Sequence, residues 1–220
     1  MRFKKLISYL YPIIIEKLPS ENSDTLEVTL VNGKVIIDSK NTNYSYGSLQ
    51  KVLKEGLQHI GKDRLEKFKN VLILGVAGGS VIDTLRNDIK IHQNITGIEI
   101  DSQIIQLANK YYQLESYKDL ELIQMDAFEY VRTTTEHFDF IVIDIFNDNS
   151  MPDALFEKKF WDDVYNILNE NGLCLFNSMK TLNRIIVKNQ FVTEIFNELF
   201  SEVIPINSRN KYNTLFILDK

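Results

Sequence analysis

Val71-Leu72-Ile73-Leu74-Gly75-Val76-Ala77-Gly78-Gly79-Ser80 is the stretch around which the rest of the chain is organised. An unbroken apolar run, branched at Cβ in Val71 and Ile73, reads as a strand buried on both faces. It ends in small residues, Gly75, Ala77, Gly78 and Gly79, which let the backbone come close to a ligand. The helix expected next, over about 80–88, offers the free amide donors of its first turn at the same place. The glycines do not follow the Gly-x-Gly-x-x-Gly spacing, which speaks against a dinucleotide.

Outward from this stretch the chain alternates between strand and helix. Strands are expected at 71–74, 95–100, 120–125, 138–144 and 173–177, and helices at 80–88, 101–112, 127–134, 154–170 and 185–199. Apolar strands separated by helices predict an α/β protein with a parallel sheet covered on both faces. Two further strands, near 202–206 and 214–218, are joined by a short polar turn and so should be antiparallel. A mostly parallel seven-stranded sheet with a reversed C-terminal strand is the Rossmann-like class I methyltransferase fold. Phe191, Ile195, Phe196, Leu199 and Phe200 recur at helical spacing, which predicts a core stripe.

Upstream, the alternating runs 26–31 and 34–37 flank Asn32-Gly33, the signature of a β-hairpin with a two-residue turn. A helix is expected over 48–60. Residues 1–60 carry too little apolar mass to fold alone and read as a small N-terminal hairpin and helix extension, with 61–220 as the ligand-binding domain.

Ligands of open α/β sheets bind outside the carboxyl ends of the strands, and three more residues fall there. Glu99, closing the second strand of the large sheet, can accept hydrogen bonds from ribose hydroxyls. Asp126, followed by Ala127 at the end of the third, can accept from the exocyclic amine of adenine, and it also suits the N-cap of the next helix. Asp144 ends the fourth strand and opens Asp144-Ile145-Phe146-Asn147-Asp148.

On these residues the chain resembles the spermidine synthase family, the aminopropyltransferases with their methyltransferase relatives. The family's Asp-Ser-Ser-Asp-Pro motif lines up with 144–148. It is followed without a gap by Asp153-Ala154-Leu155-Phe156, Phe160-Trp161 and Asn171-Gly172. The family's Gly-Gly-Gly-Asp-Gly-Gly loop lines up with 75–80, and its Ser-Tyr-Gln-Glu element with Ser45-Tyr46-Gly47-Ser48. The resemblance implies an adenosyl ligand, either S-adenosylmethionine or its decarboxylated form, held by Gly75, Ala77, Gly78, Gly79, Glu99, Asp126, Ala127 and Asp144. It also implies a reaction centre of Asp144, Asn147, Asp148 and Tyr46, a small-molecule acceptor such as an amine, and a homodimer.

The chain departs from that pattern where the amine is read. The loop aspartate is Gly78, the second aspartate of the motif is Asn147, and the glutamine after the tyrosine is Gly47. An asparagine accepts a hydrogen bond but is no base near neutral pH. The expectation is therefore methyl transfer to a small acceptor, which mainly needs in-line positioning. The alternatives are aminopropyl transfer, with Asp148 covering for Asn147, and a non-catalytic module of the same fold.

Composition narrows the partners. In 220 residues, 25 basic and 30 acidic side chains give a net charge of −5, which argues against a nucleic-acid backbone as the main partner. The single cysteine, Cys174, excludes an intramolecular disulfide and a cysteine-based zinc site. His59, His92 and His137 are scattered, so no metal is expected. No apolar run approaches the ~18 residues that span a bilayer. The first residues resemble a signal peptide, but Ser8, Pro12 and Glu16 interrupt them and no cleavage site follows, so a cytoplasmic protein off the membrane is expected.

Overall fold

The computed structural model describes residues 2–20, 25–39, 48–147, 150–180, 183–210 and 212–220. Tyr46 and Asp148, two of the residues expected at the reaction centre, lie outside the described residues.

After a short helix α1 (Arg2–Ile7), strands β1 (Ile13–Pro19), β2 (Thr25–Val31) and β3 (Lys34–Ser39) form an antiparallel sheet in the order β1-β2-β3. Asn32 and Gly33, with φ of 49° and 75°, form the β2–β3 turn with both central residues left-handed, which Asn-Gly tolerates best. Strand β1 is an addition to the expected hairpin. Ile13, Ile14 and Ile15 lack period-two alternation, and the β1–β2 register shifts between Ile14 and Glu16, so the local pattern hides the strand.

Helix α2 (Ser48–Ile60) and the turn α3 (Lys62–Leu65) lead into β4 (Asn70–Leu74). The chain continues through α4 (Ser80–Asp83), β5 (Asn94–Glu99), α5 (Ser102–Tyr112), β6 (Leu120–Gln124), α6 (Ala127–Thr133) and β7 (Phe138–Ile143). It closes with α7 (Lys158–Ile167), β8 (Leu168–Met179), α8 (Asn183–Leu199), β9 (Glu202–Asn207) and β10 (Asn213–Asp219). The large sheet runs β6-β5-β4-β7-β8-β10-β9, with β10 antiparallel to both neighbours and the remaining neighbours parallel to one another. This is the expected mostly parallel sheet with a reversed last strand.

The core lies on both faces of that sheet, because β4 and β7 are apolar on both. Leu72, Leu74, Ile141 and Ile143 face α6, α7 and α8, where Trp161 is fully buried and meets Phe176 and Phe196 edge-on at 5.0 and 4.5 Å between ring centroids. Val71, Ile73 and Val142 face the other layer, which includes Val52, Leu53 and Leu57 of α2. The small sheet packs Leu26, Val28 and Ile37 on Ile104 and Leu107 of α5.

Three local expectations are corrected. Phe191 is 54% exposed while Ile195, Phe196 and Phe200 are buried, so the stripe on α8 starts later than its spacing predicts. The helix expected from 80 to 88 is α-helical only to Asp83 and continues as a π turn over Thr84–Ile89. The helix expected over 154–170 is a 3-10 turn, Asp153–Phe156, followed by α7, and β8 already begins at Leu168.

Candidate functional site

The Gly-rich loop leaves β4 with three left-handed residues, Gly75 (φ 87°), Ala77 (φ 48°) and Gly79 (φ 78°). Gly75 is required twice over. Besides its φ, a Cβ there would stand 2.3 Å from the Asp144 carbonyl oxygen, just past the paired ends of β4 and β7. Gly79 is the N-cap of α4, and Gly78 is buried beside it.

Glu99 faces this loop from the end of β5. Its Oε2 accepts from the Ala77 amide at 2.9 Å and its Oε1 from the Asp101 amide at 3.1 Å. Burial pushes its carboxyl above the ordinary range, opposed by these backbone donors. A carboxylate oxygen has room for more than one donor, so the same group can still receive hydroxyls.

Asp126 closes β6 and is the N-cap of α6, its Oδ1 accepting from the amides of Phe128 at 2.8 Å and Glu129 at 3.0 Å. The cap function weighed in the sequence is therefore present, and Ala127 is buried next to it. A surface groove of ≈ 350 Å³ between α6 and α7 is lined by Asp126, Phe128, Arg132, Glu157 and Phe160 among others.

Asp144 is almost fully buried at the end of β7, its Oδ1 accepting from Asn177 Nδ2 at 2.8 Å. Burial raises its carboxyl to about 6, and the Asn177 hydrogen bond works in the opposite direction. Asn147 is exposed instead and is bridged to Ser150 by backbone hydrogen bonds of 2.9 and 3.0 Å. The structure thus brings together Gly75, Ala77, Glu99 and Asp144, and sets Asp126 and Ala127 at the next strand end.

Sequence reasoning missed three buried polar residues here. Asp101 caps α5 through Gln103 and Ile104 and also accepts from Ser20 Oγ, tying the small sheet to the loop region. An acid opening a helix, Asp101-Ser102, is an N-cap signal that could have found it. Asn177 and Asn213 form a hydrogen-bonded pair beside Asp144, Asn213 Nδ2 donating to Asn177 Oδ1 at 2.9 Å. Their signal is weaker: each is an amide set in or beside an apolar strand. Among the described residues, no group of three or more His, Cys, Asp and Glu side chains is arranged to hold a metal ion. No described helix is long and apolar enough to cross a membrane.

The family model described as "Spermine/spermidine synthase domain" matches residues 50–212. The chain is 25% identical over 148 residues to a polyamine aminopropyltransferase of Vibrio vulnificus, covering 66% of this chain and 49% of that protein. It is 34% identical over 124 residues to one of Buchnera aphidicola, covering 54% and 43%. It spans about half the length of the curated relatives it matches. In fold it is similar to a probable spermidine synthase of Corynebacterium glutamicum, with a TM-score of 0.80, 14% identity and coverage of 94% and 80%. It is also similar to human methyltransferase-like protein 13 in complex with SAH, with a TM-score of 0.66, 17% identity and coverage of 79% and 82%. A family match across this strand order and its Gly-rich loop makes the chain a member of the spermine/spermidine synthase family.

Proposed function

We propose that this chain is an aminopropyltransferase that moves the aminopropyl group of decarboxylated S-adenosylmethionine to an amine acceptor. The observation that carries the reading is the family match over residues 50–212, with relatives named as polyamine aminopropyltransferases. These relatives favour the alternative above the methyl transfer expected from Gly78 and Asn147.

The site residues take their roles from position. Glu99 receives the ribose hydroxyls, Asp126 with Ala127 takes the adenine side, and the backbone of Gly75, Ala77, Gly78 and Gly79 lies along the ligand. In the transfer, the acceptor ammonium first loses a proton. Its nitrogen then forms a bond to the carbon attached to the sulfonium, and the carbon–sulfur bond breaks with its electrons going to sulfur, leaving methylthioadenosine. Asp144 suits the proton step, since burial places its carboxyl at about 6, close to neutral pH. Asn147, Asp148 and Tyr46 are assigned to orienting the acceptor. The unit is proposed to work as a homodimer, because its N-terminal segment exposes a group of apolar side chains that includes Leu6 and Leu10.

One observation favours methyl transfer as a second reading: a glycine, Gly78, is buried in the loop where the family carries an aspartate. Assays with putrescine and decarboxylated S-adenosylmethionine, beside assays with S-adenosylmethionine and the same amine, separate the two. Spermidine and methylthioadenosine are the expected products. A methylated amine from S-adenosylmethionine, with no spermidine, would replace this reading by the second. The double change Gly78→Asp with Asn147→Asp should raise aminopropyl transfer, since a positioned general base is commonly worth ~10²–10⁴-fold in rate.

A further inference from the structure

Asp144 is the inner end of a row of side-chain amides reaching it from the β9–β10 turn. Asn210 Nδ2 donates to Asn213 Oδ1 at 2.8 Å, Asn213 Nδ2 to Asn177 Oδ1 at 2.9 Å, and Asn177 Nδ2 to Asp144 Oδ1 at 2.8 Å. Asn177 has no exposed surface and Asn213 is 7% exposed, so water does not compete for these bonds.

The direction of the row follows from its outer end. The side chain of Asn210 meets two backbone donors, the amides of Tyr212 at 2.9 Å and Asn213 at 3.1 Å. Only a carbonyl oxygen can accept from both, so the Asn210 oxygen faces the backbone and its nitrogen faces Asn213. Asn213 must then present its oxygen to Asn210 and its nitrogen to Asn177. Asn177 in turn presents its oxygen to Asn213 and its nitrogen to Asp144. Turning any one amide over would set oxygen against oxygen or nitrogen against nitrogen in a buried place.

We propose that Asn213, anchored by Asn210 and acting through Asn177, is a positioning residue that holds the Asn177 amide in the one orientation that donates to Asp144. This rests on the reading of Asp144 as the group that handles the acceptor's proton, and it adds the device that sets that carboxyl's state. Asp144 meets backbone of Gly75, just after β4, and the amide of Asn177 from β8, which Asn213 of β10 contacts in turn. Burial and the Asn177 bond are what move its acidity, with no charged side chain of the described residues adding to them. Asp148 lies outside the described residues.

The test is the titration of the Asp144 carboxyl by carbon-13 NMR on the whole ligand-free chain, with the signal assigned by its loss in Asp144→Asn. Asn213→Asp keeps the shape but can no longer donate, so Asn177 turns its nitrogen outward and its oxygen toward Asp144. The Asp144 midpoint should rise by about one unit or more. Asn213→Leu removes the donor without adding charge and should move the midpoint the same way, by less. Asn210→Asp keeps the acceptor for both backbone amides, loses the donor to Asn213, places its charge farther from Asp144, and should also raise the midpoint. If Asn213→Asp does not fold, the Asn213→Leu and Asn210→Asp arms decide. A rise confined to the Asp variants, with Asn213→Leu unmoved, would mean added charge and overturn the proposal, as would a midpoint unmoved in all three. No turnover is measured, so absence of aminopropyl transfer would overturn the proposed function and leave this result standing on its own.

Discussion

The Ala77 amide donates to Glu99 Oε2 over 2.9 Å, so the Gly-rich loop after β4 and the end of β5 form one hydrogen-bonded unit. The other oxygen of Glu99 receives the Asp101 amide, and Asp101 receives Ser20 from the end of β1. A positive φ at Ala77, strained for a residue with a side chain, is held by this bond.

Glu99→Ala should therefore act twice. Loss of charged hydrogen bonds to ribose should weaken methylthioadenosine binding about ten- to a hundredfold, or ~1.5–3 kcal/mol. The Ala77 and Asp101 amides would also lose their acceptor, lowering unfolding stability by ~1–3 kcal/mol. Calorimetry and urea denaturation measure the two effects separately. Reduced stability with unchanged affinity would make Glu99 a loop anchor and nothing more.

The buried Asp144 carboxyl imposes a pH dependence on stability. Its folded value of about 6 lies above the ordinary 3.8, so the folded state holds the proton more tightly than the unfolded chain. Its contribution is complete below about pH 4 and is lost as pH rises through 6, roughly 3 kcal/mol for about two units. Asp38, also raised to about 6 by burial beside Glu27, titrates in the same window and in the same direction. Asp144→Asn should thus flatten only part of the slope. It should be more stable than the parent at pH 7.5, by ~1–3 kcal/mol, and slower in transfer. Denaturation midpoints from pH 4 to 8 test this, and a less stable variant at pH 7.5 would contradict it.

Gly75→Ala should destabilise the fold by ~2–4 kcal/mol, because the left-handed backbone and the 2.3 Å approach to the Asp144 carbonyl both penalise a Cβ. A Cβ also meets backbone rather than a side chain that could swing away. A thermal midpoint equal to the parent's would show that the backbone at the ends of β4 and β7 relaxes freely.

The exposed apolar group near the N-terminus should be covered in solution. Phe3, Leu6 and Leu10 are 75%, 69% and 83% exposed, with Tyr9, Tyr11 and Ile14 close by in the chain. Light scattering at micromolar concentration should give twice the mass of one chain, and Leu6→Glu with Leu10→Glu should reduce it to one. A monomeric parent would remove the proposed homodimer.

Local chemistry was legible from residues alone. The runs at 71–74, 95–100 and 138–144 match β4, β5 and β7 closely, because a strand with neighbours on both sides and layers on both faces is mostly apolar, and 120–125 matches the half-exposed edge strand β6. Asn32-Gly33 announced its turn, since few other pairs accept two left-handed residues in succession. The small residues after β4, and the acids near the ends of β5, β6 and β7, were legible as a set at neighbouring strand ends. Each of these signals is complete within a few residues.

What required the tertiary structure is what depends on distant pairing. Asn177 reaches Asp144 across 33 residues and Asn213 reaches Asn177 across 36, and the register of β10 against β8 brings them together. Nothing near Asn213 in the chain shows that it faces a buried carboxyl. The hydrogen bond from the Ala77 amide to Glu99, the cover of α2 over β4, and the exposure of Phe191 are of the same kind. Periodicity says that a side has a partner, whereas burial and register say which partner it is.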